Sequence, residues 1–154
     1  LLDTLPDLSI SVTESAGQPV YRIWVEADET IGHYADWLGL GSTRIIRSLN
    51  RISSGADLRI GQSVQLPIDS GEHVDRFERR REEYHQVLSE SLKAHYALVG
   101  IVRYNVKKGD SIWSLSQESG FPIWLFYRLN PAHKITGLKQ GQEVILPKLQ
   151  KMQL

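Results

Sequence analysis

The apolar positions of the chain follow two periods, one of strands and one of helices. Leu8, Ile10 and Val12 alternate with Ser9, Ser11 and Thr13, and a turn near Gly17-Gln18-Pro19 leads into the run 20–25. This period of two predicts a β-hairpin. Val102, Tyr104 and Val106 alternate with Arg103 and Asn105 in the same way, as a half-buried strand does. Gly109-Asp110-Ser111 then turns the chain, and Ile112, Leu115 and Ser116 share one helical face. Asp110 or Ser111 can cap that helix, and Gly120 suits its C-terminal stop. Pro122 opens a further helix with the stripe Leu125, Phe126 and Leu129, which Asn130-Pro131 closes. A last strand over 143–146 follows the turn Gly141-Gln142 and ends at Pro147, placed to pair antiparallel with the opening strand.

The same strand-helix-helix-strand order occurs earlier in the chain. Val25, Ile31 and Gly39 return as Val106, Ile112 and Gly120, each displaced by 81 positions. Leu49, Asn50, Leu58, Gly61, Gln62, Val64, Leu66 and Pro67 return as Leu129, Asn130, Leu138, Gly141, Gln142, Val144, Leu146 and Pro147, displaced by 80. One residue gained or lost after Gly39 accounts for the slip. The expected fold class is therefore α+β: two small βααβ modules, at 23–68 and 101–148, with an N-terminal hairpin extension over 1–22 and a tail at 149–154. Modules this small lie near the lower limit for folding without disulfides or metal, so both helices must pack closely on the two strands.

Between the modules, residues 69–98 hold no proline and only Gly71 as a glycine, which predicts a linker helix within 69–100. Asp69 or Ser70 is placed to cap it, with Glu72 in capping-box spacing. Val74, Phe77, Arg81, Tyr84, Leu88 and Leu92 recur at steps of three and four. At about 1.5 Å per residue such a helix extends roughly 40 Å, longer than one module can cover. Its stripe either docks against the modules, or the helix over 70–98 meets a protein partner or a second copy of itself. The run Arg79-Arg80-Arg81-Glu82-Glu83 reads as a solvated face with internal ion pairs.

Composition removes several function classes. The formal net charge is zero, which argues against a general affinity for nucleic acid. The two halves differ in sign: residues 1–68 carry five basic and eight acidic side chains, residues 101–154 eight and three. The chain has no cysteine, so thiolate metal sites and disulfides are excluded. Its five histidines do not share the spacing of a metal site, so no metal and no cofactor is expected. No stretch reaches the roughly 20 apolar residues that a membrane span needs. The start Leu1-Leu2-Asp3-Thr4 resembles neither an initiator methionine nor a secretory signal, and the chain reads as a fragment of a longer protein. Glu14-Ser15, Glu90-Ser91 and Glu118-Ser119 invite comparison with a catalytic glutamate. A glycosidase acid, however, needs a raised pKa inside a deep cleft, and a module of this size encloses none. No catalytic residue is assigned.

The second copy carries a family resemblance. Tyr104-Asn105-Val106-Lys107-Lys108-Gly109-Asp110-Ser111-Ile112, Leu129-Asn130-Pro131 and Gly141-Gln142-Glu143-Val144-Ile145-Leu146-Pro147 resemble, in order, the opening, middle and end of the LysM (lysin motif) family. The resemblance implies βααβ modules that bind N-acetylglucosamine-containing glycan such as peptidoglycan or chitin. It further implies a cell-envelope location, in the periplasm or the cell wall, and a non-catalytic anchor for a larger protein, such as a wall hydrolase. The first copy departs from the pattern: Asp28-Glu29-Thr30 stands where the family favours Gly-Asp-Thr, and Arg51 follows Asn50 where proline is usual.

Carried over by position, the resemblance places one wall of a shallow groove at Gly109, Asp110, Ser111 and Ile112 and the other at Asn130, Pro131, Ile135 and Leu138. A second site in the first copy would use Asp28, Glu29, Thr30, Ile31, Asn50 and Leu58. Turn amides suit an acetamido carbonyl, and its methyl group can rest on Ile112 or Leu138. Gly109, Asp110 and Ser111 are equally what a capped strand-to-helix turn requires. Of the four tryptophans, Trp113 and Trp124 lie near helix starts. Trp24 and Trp37 stand where the other copy has Asn105 and Glu118, which predicts outward-facing positions or a cover for the linker helix. The rival reading is an assembly module in which degenerate repeats and the long helix serve protein contacts within an envelope machine.

Overall fold

The computed structural model describes residues 2–133 and 137–153 and divides into two compact units. The first, Asp7–His85, contains the N-terminal hairpin. Strand β1 (Ser11–Ser15) pairs antiparallel with β2 (Gln18–Trp24), from Ser11 opposite Arg22 to Ser15 opposite Gln18. Ala16 and Gly17 between them both have positive φ, as the tightest hairpin turns require. After α1 (Ile31–Trp37) and α2 (Arg44–Asn50), strand β3 (Ser63–Leu66) returns to pair with β2, so the sheet order is β1-β2-β3. The hairpin thus extends the first module's sheet. Ile23, Val25, Tyr34, Ile46, Val64 and Leu66 form the core, and Phe77 of the long helix completes it.

The second unit takes in the described residues of 1–6 and 86–154. Strand β4 (Tyr96–Asn105) pairs antiparallel with β5 (Glu143–Lys151), from Tyr96 opposite Lys151 to Asn105 opposite Glu143. Helices α4 (Ile112–Ser119) and α5 (Ile123–Leu129) connect them. Ser111 is the N-cap of α4: its Oγ accepts from the Ser114 amide at 3.0 Å, while the Ser111 amide donates to Ser114 Oγ at 2.9 Å. Gly120 ends the helix in the left-handed region, φ 68°. Val106, Leu115, Leu125, Phe126, Val144 and Leu146 are buried; of the alternating positions on β4, Tyr104 is half-buried and Val102 exposed.

Helix α3 runs from Gly71 to Lys93. Three features of this region differ from expectation. Residues 96–100 are strand, although they fall within the 69–100 expected as linker helix, and residues 149–151 are strand where a tail was expected. Each supplies the other's backbone partners, with Leu98 opposite Leu149 and Ala97 opposite Gln150, and this pairing outweighs local helical periodicity. Trp37 takes the second of its two expected places, a cover for the linker helix, and is buried. Its ring lies 5.5 Å from those of Phe77 and Tyr84, because α3 covers that face of the first module. Arg81 belongs to no solvated face: it is the largest fully buried side chain among the described residues. In the first unit the stripe is used within the chain: Phe77 and Arg81 are buried, and Val74 and Tyr84 pack partly buried against the core.

Candidate functional site

The strand-to-helix turn of the second module is built around Asp110. Its Oδ2 accepts from the Lys107 amide at 2.8 Å and from the Tyr104 hydroxyl at 2.6 Å, which closes the turn. These two donors, Tyr104 first, hold the Asp110 carboxyl below its ordinary pKa. Gly109 has φ 86° and is exposed, Asp110 and Ile112 are partly buried, and Ser111 is exposed. Positive φ here favours glycine, and no heavy atom lies within 4 Å of where its Cβ would stand. Capping falls to Ser111, so Asp110 serves the turn and Ser111 the helix.

Backbone bonds tie the end of β4 to the turn before β5. The Val106 amide donates to the Gln142 carbonyl and the Gly141 amide to the Val106 carbonyl, each at 2.8 Å. Asn130 is buried, and its side chain is committed to the fold. Nδ2 donates to the carbonyls of Phe126 (2.9 Å) and Ile145 (2.7 Å), and Oδ1 accepts from the Ile145 amide (2.7 Å). It locks the end of α5 to β5. Pro131 is exposed and Leu138 half-buried, while Ile135 lies outside the described residues.

The first module repeats this framework. Val25 bonds Gln62 and Gly61 as Val106 bonds Gln142 and Gly141, and Asn50 bridges Ile46 and Gln65 with both polar atoms of its amide. The turn itself has been rebuilt. Asp28 occupies the glycine position with φ 68°, and its carbonyl accepts the Tyr84 hydroxyl of α3. Thr30 caps α1 in a box with His33, and Ile31 is buried. Leu58 packs partly buried against the core.

Glu29, expected on a groove wall, is instead turned inward. Like Asp110 it accepts the amide three residues upstream, from Glu26 at 2.9 Å, but its longer side chain reaches the interior. There Oε2 meets Arg81 Nε and His85 Nε2 at 2.7 Å each, and Oε1 accepts from Tyr34 at 2.6 Å and Arg81 at 2.9 Å. Burial by itself would raise the Glu29 pKa. The hydrogen bonds from His85, Arg81 and Tyr34, with the Arg81 charge, outweigh burial and hold the carboxyl at about 2. Burial, Glu29 foremost among its neighbouring charges, pushes the Tyr34 hydroxyl up. A carboxylate with no exposed side-chain surface is out of a glycan's reach. The sequence signal for this cluster was Arg81 itself, the one charged residue inside an otherwise apolar stripe.

The LysM domain family matches residues 41–67 and 104–147. The match to the second module starts at Tyr104, near the end of β4, and runs through both helices into β5, whereas the match to the first leaves out the turn that carries Asp28 and Glu29. Among solved structures, the Bacillus megaterium QM B1551 spore cortex-lytic enzyme SleL shares 20% identity at a TM-score of 0.29, over 82% of this chain and 22% of that one. The Bacillus cereus spore cortex-lytic enzyme SleL shares 17% at 0.31, over 84% and 23%. The chain spans under a quarter of the length of either enzyme. No curated protein sequence matches. No helix among the described residues is long and apolar enough to cross a membrane.

Proposed function

We propose that this tandem LysM domain protein is a non-catalytic glycan-binding region whose second module alone takes N-acetylglucosamine-containing polymer, such as peptidoglycan, and so anchors a larger bacterial envelope protein to the cell wall. LysM domains are non-catalytic and generally bind such glycans. The observation that carries the reading is the difference between the two turns. In the second module Gly109, Ser111 and Ile112 surround an accessible turn, with backbone amides for an acetamido carbonyl and an apolar side chain for its methyl group. In the first module the equivalent carboxylate is buried and the equivalent carbonyl holds Tyr84. Gly109, Asp110, Ser111, Ile112, Pro131 and Leu138 form the proposed site, with Asn130 positioning its second wall.

The test is co-sedimentation of the full chain with insoluble peptidoglycan and, separately, chitin. Ile112→Ser with Leu138→Ser is expected to lower the bound fraction without loss of fold, and Thr30→Ala to leave it unchanged. A wild-type chain that stays in the supernatant with both polymers would overturn the reading. The assembly alternative has one observation in its favour, the exposed Val99 and Ile101 on the arm of β4 that precedes the family match. Concentration-dependent association in sedimentation velocity, together with no glycan bound, would select it.

A further inference from the structure

We propose that the exposed indole of Trp113 provides a stacking subsite for a second sugar ring beside the Gly109–Ile112 turn, so that the module prefers oligosaccharides to short glycans. This inference rests on the glycan-binding reading of the second module. Among the large hydrophobic side chains, Trp113 is the most exposed of the described residues, at 66%. A single exposed apolar residue is ordinary in itself. Three observations give this one a role.

First, the fold makes no use of it. The repeat places Gly32 at the same position of the first module, behind an N-cap with the same capping box, and that module packs without any side chain there. Trp37 and Trp124 are by contrast buried; Trp124 lies under the Arg128 guanidinium at 4.4 Å. Second, Trp113 is the second residue of α4, and side chains on a helix lean toward its N-terminus and cover the preceding turn. The preceding turn is Gly109-Asp110-Ser111. Third, the chemistry is complementary. The electron-rich face of an indole attracts positively polarised hydrogens, and the C–H face of a pyranose presents a row of them. A ring held by turn amides would leave its neighbour along the polymer over the indole. The first module lacks the indole and also has its turn closed by Tyr84, so both elements of the site are missing from the same copy.

The experiment titrates the full chain and two variants, Trp113→Ala and Trp113→Tyr, with the hexamer and the dimer of N-acetylglucosamine by calorimetry. Trp113→Ala is expected to weaken hexamer binding about tenfold, the equivalent of ~1.4 kcal/mol, while dimer affinity stays within error. Trp113→Tyr, which keeps an aromatic face, should recover most of the loss. The side chain is exposed, so circular dichroism should be the same for all three proteins. Wild-type fluorescence should respond to hexamer, and that of Trp113→Ala should not. Equal hexamer affinity for wild type and Trp113→Ala would overturn the stacking subsite and leave the glycan-binding reading standing. Failure of the wild type to bind either sugar would overturn both.

Discussion

Glu29 and Asp110 differ by one methylene group, and that difference separates the two copies. Both carboxylates accept the amide three residues upstream. The shorter one stops at the surface with Tyr104, while the longer one enters the core and meets Arg81, His85 and Tyr34. A buried carboxylate is stable only when paired, so the substitution and the arginine on α3 form one device. Its pH dependence has a definite sign. The Glu29 carboxyl titrates at about 2 in the folded chain against an ordinary 4.5. A folded value below the unfolded one gives stability that is fully present above about pH 4.5 and is lost as pH falls toward about 2. Between pH 7 and pH 3 the wild type should therefore lose on the order of 2 kcal/mol more than Glu29→Gln. Urea denaturation of the first unit at the two pH values measures it. Parallel losses in the two proteins would show that Glu29 titrates normally.

At the scale of elements, each module relies on an asparagine at the end of its second helix. Asn50 and Asn130 each use all of their side-chain amide to hold the closing strand, by way of Gln65 and Ile145. Replacing Asn130 by alanine strands the Ile145 amide and two carbonyls, at a cost of about 2–4 kcal/mol. The expected outcome is a lower urea midpoint for the second unit and faster hydrogen exchange at the Ile145 amide, with the first unit unchanged. Asn130→Asp, which sets a buried carboxylate against those two carbonyls, should recover none of the loss. The reach of β4 and β5 past the family match shows the same principle. Residues 96–100 fall within the expected linker helix, yet they become strand because residues 148–151 supply their backbone partners.

For the whole molecule, the repeat suggests two glycan sites, whereas the difference between the turns favours one. The chain should accordingly bind the N-acetylglucosamine hexamer with a stoichiometry of one, measured by calorimetry at chain concentrations above the dissociation constant. A stoichiometry of two would restore the first module as a binding site and require Asp28 and Thr30 to act without Glu29. With one site per chain, no gain from effective concentration arises within a single chain, and tight attachment to a wall would depend on other parts of a longer protein.

Much of this protein was legible in its residue order, because the periods of two and three to four name the faces that must be buried. The repeat, the βααβ order, the hairpin joined to the first sheet and the turn at 109–111 all follow from local patterns. Local patterns could not say where α3 ends, since residues 96–100 depend on a strand some fifty positions away. Nor could they place Arg81 inside or choose between the two places open to Trp37, because both are buried only by the docking of α3 onto the first module. Glu29 is the clearest case. By position it looks like a groove residue, and only the guanidinium brought from 52 residues away makes an interior carboxylate stable there.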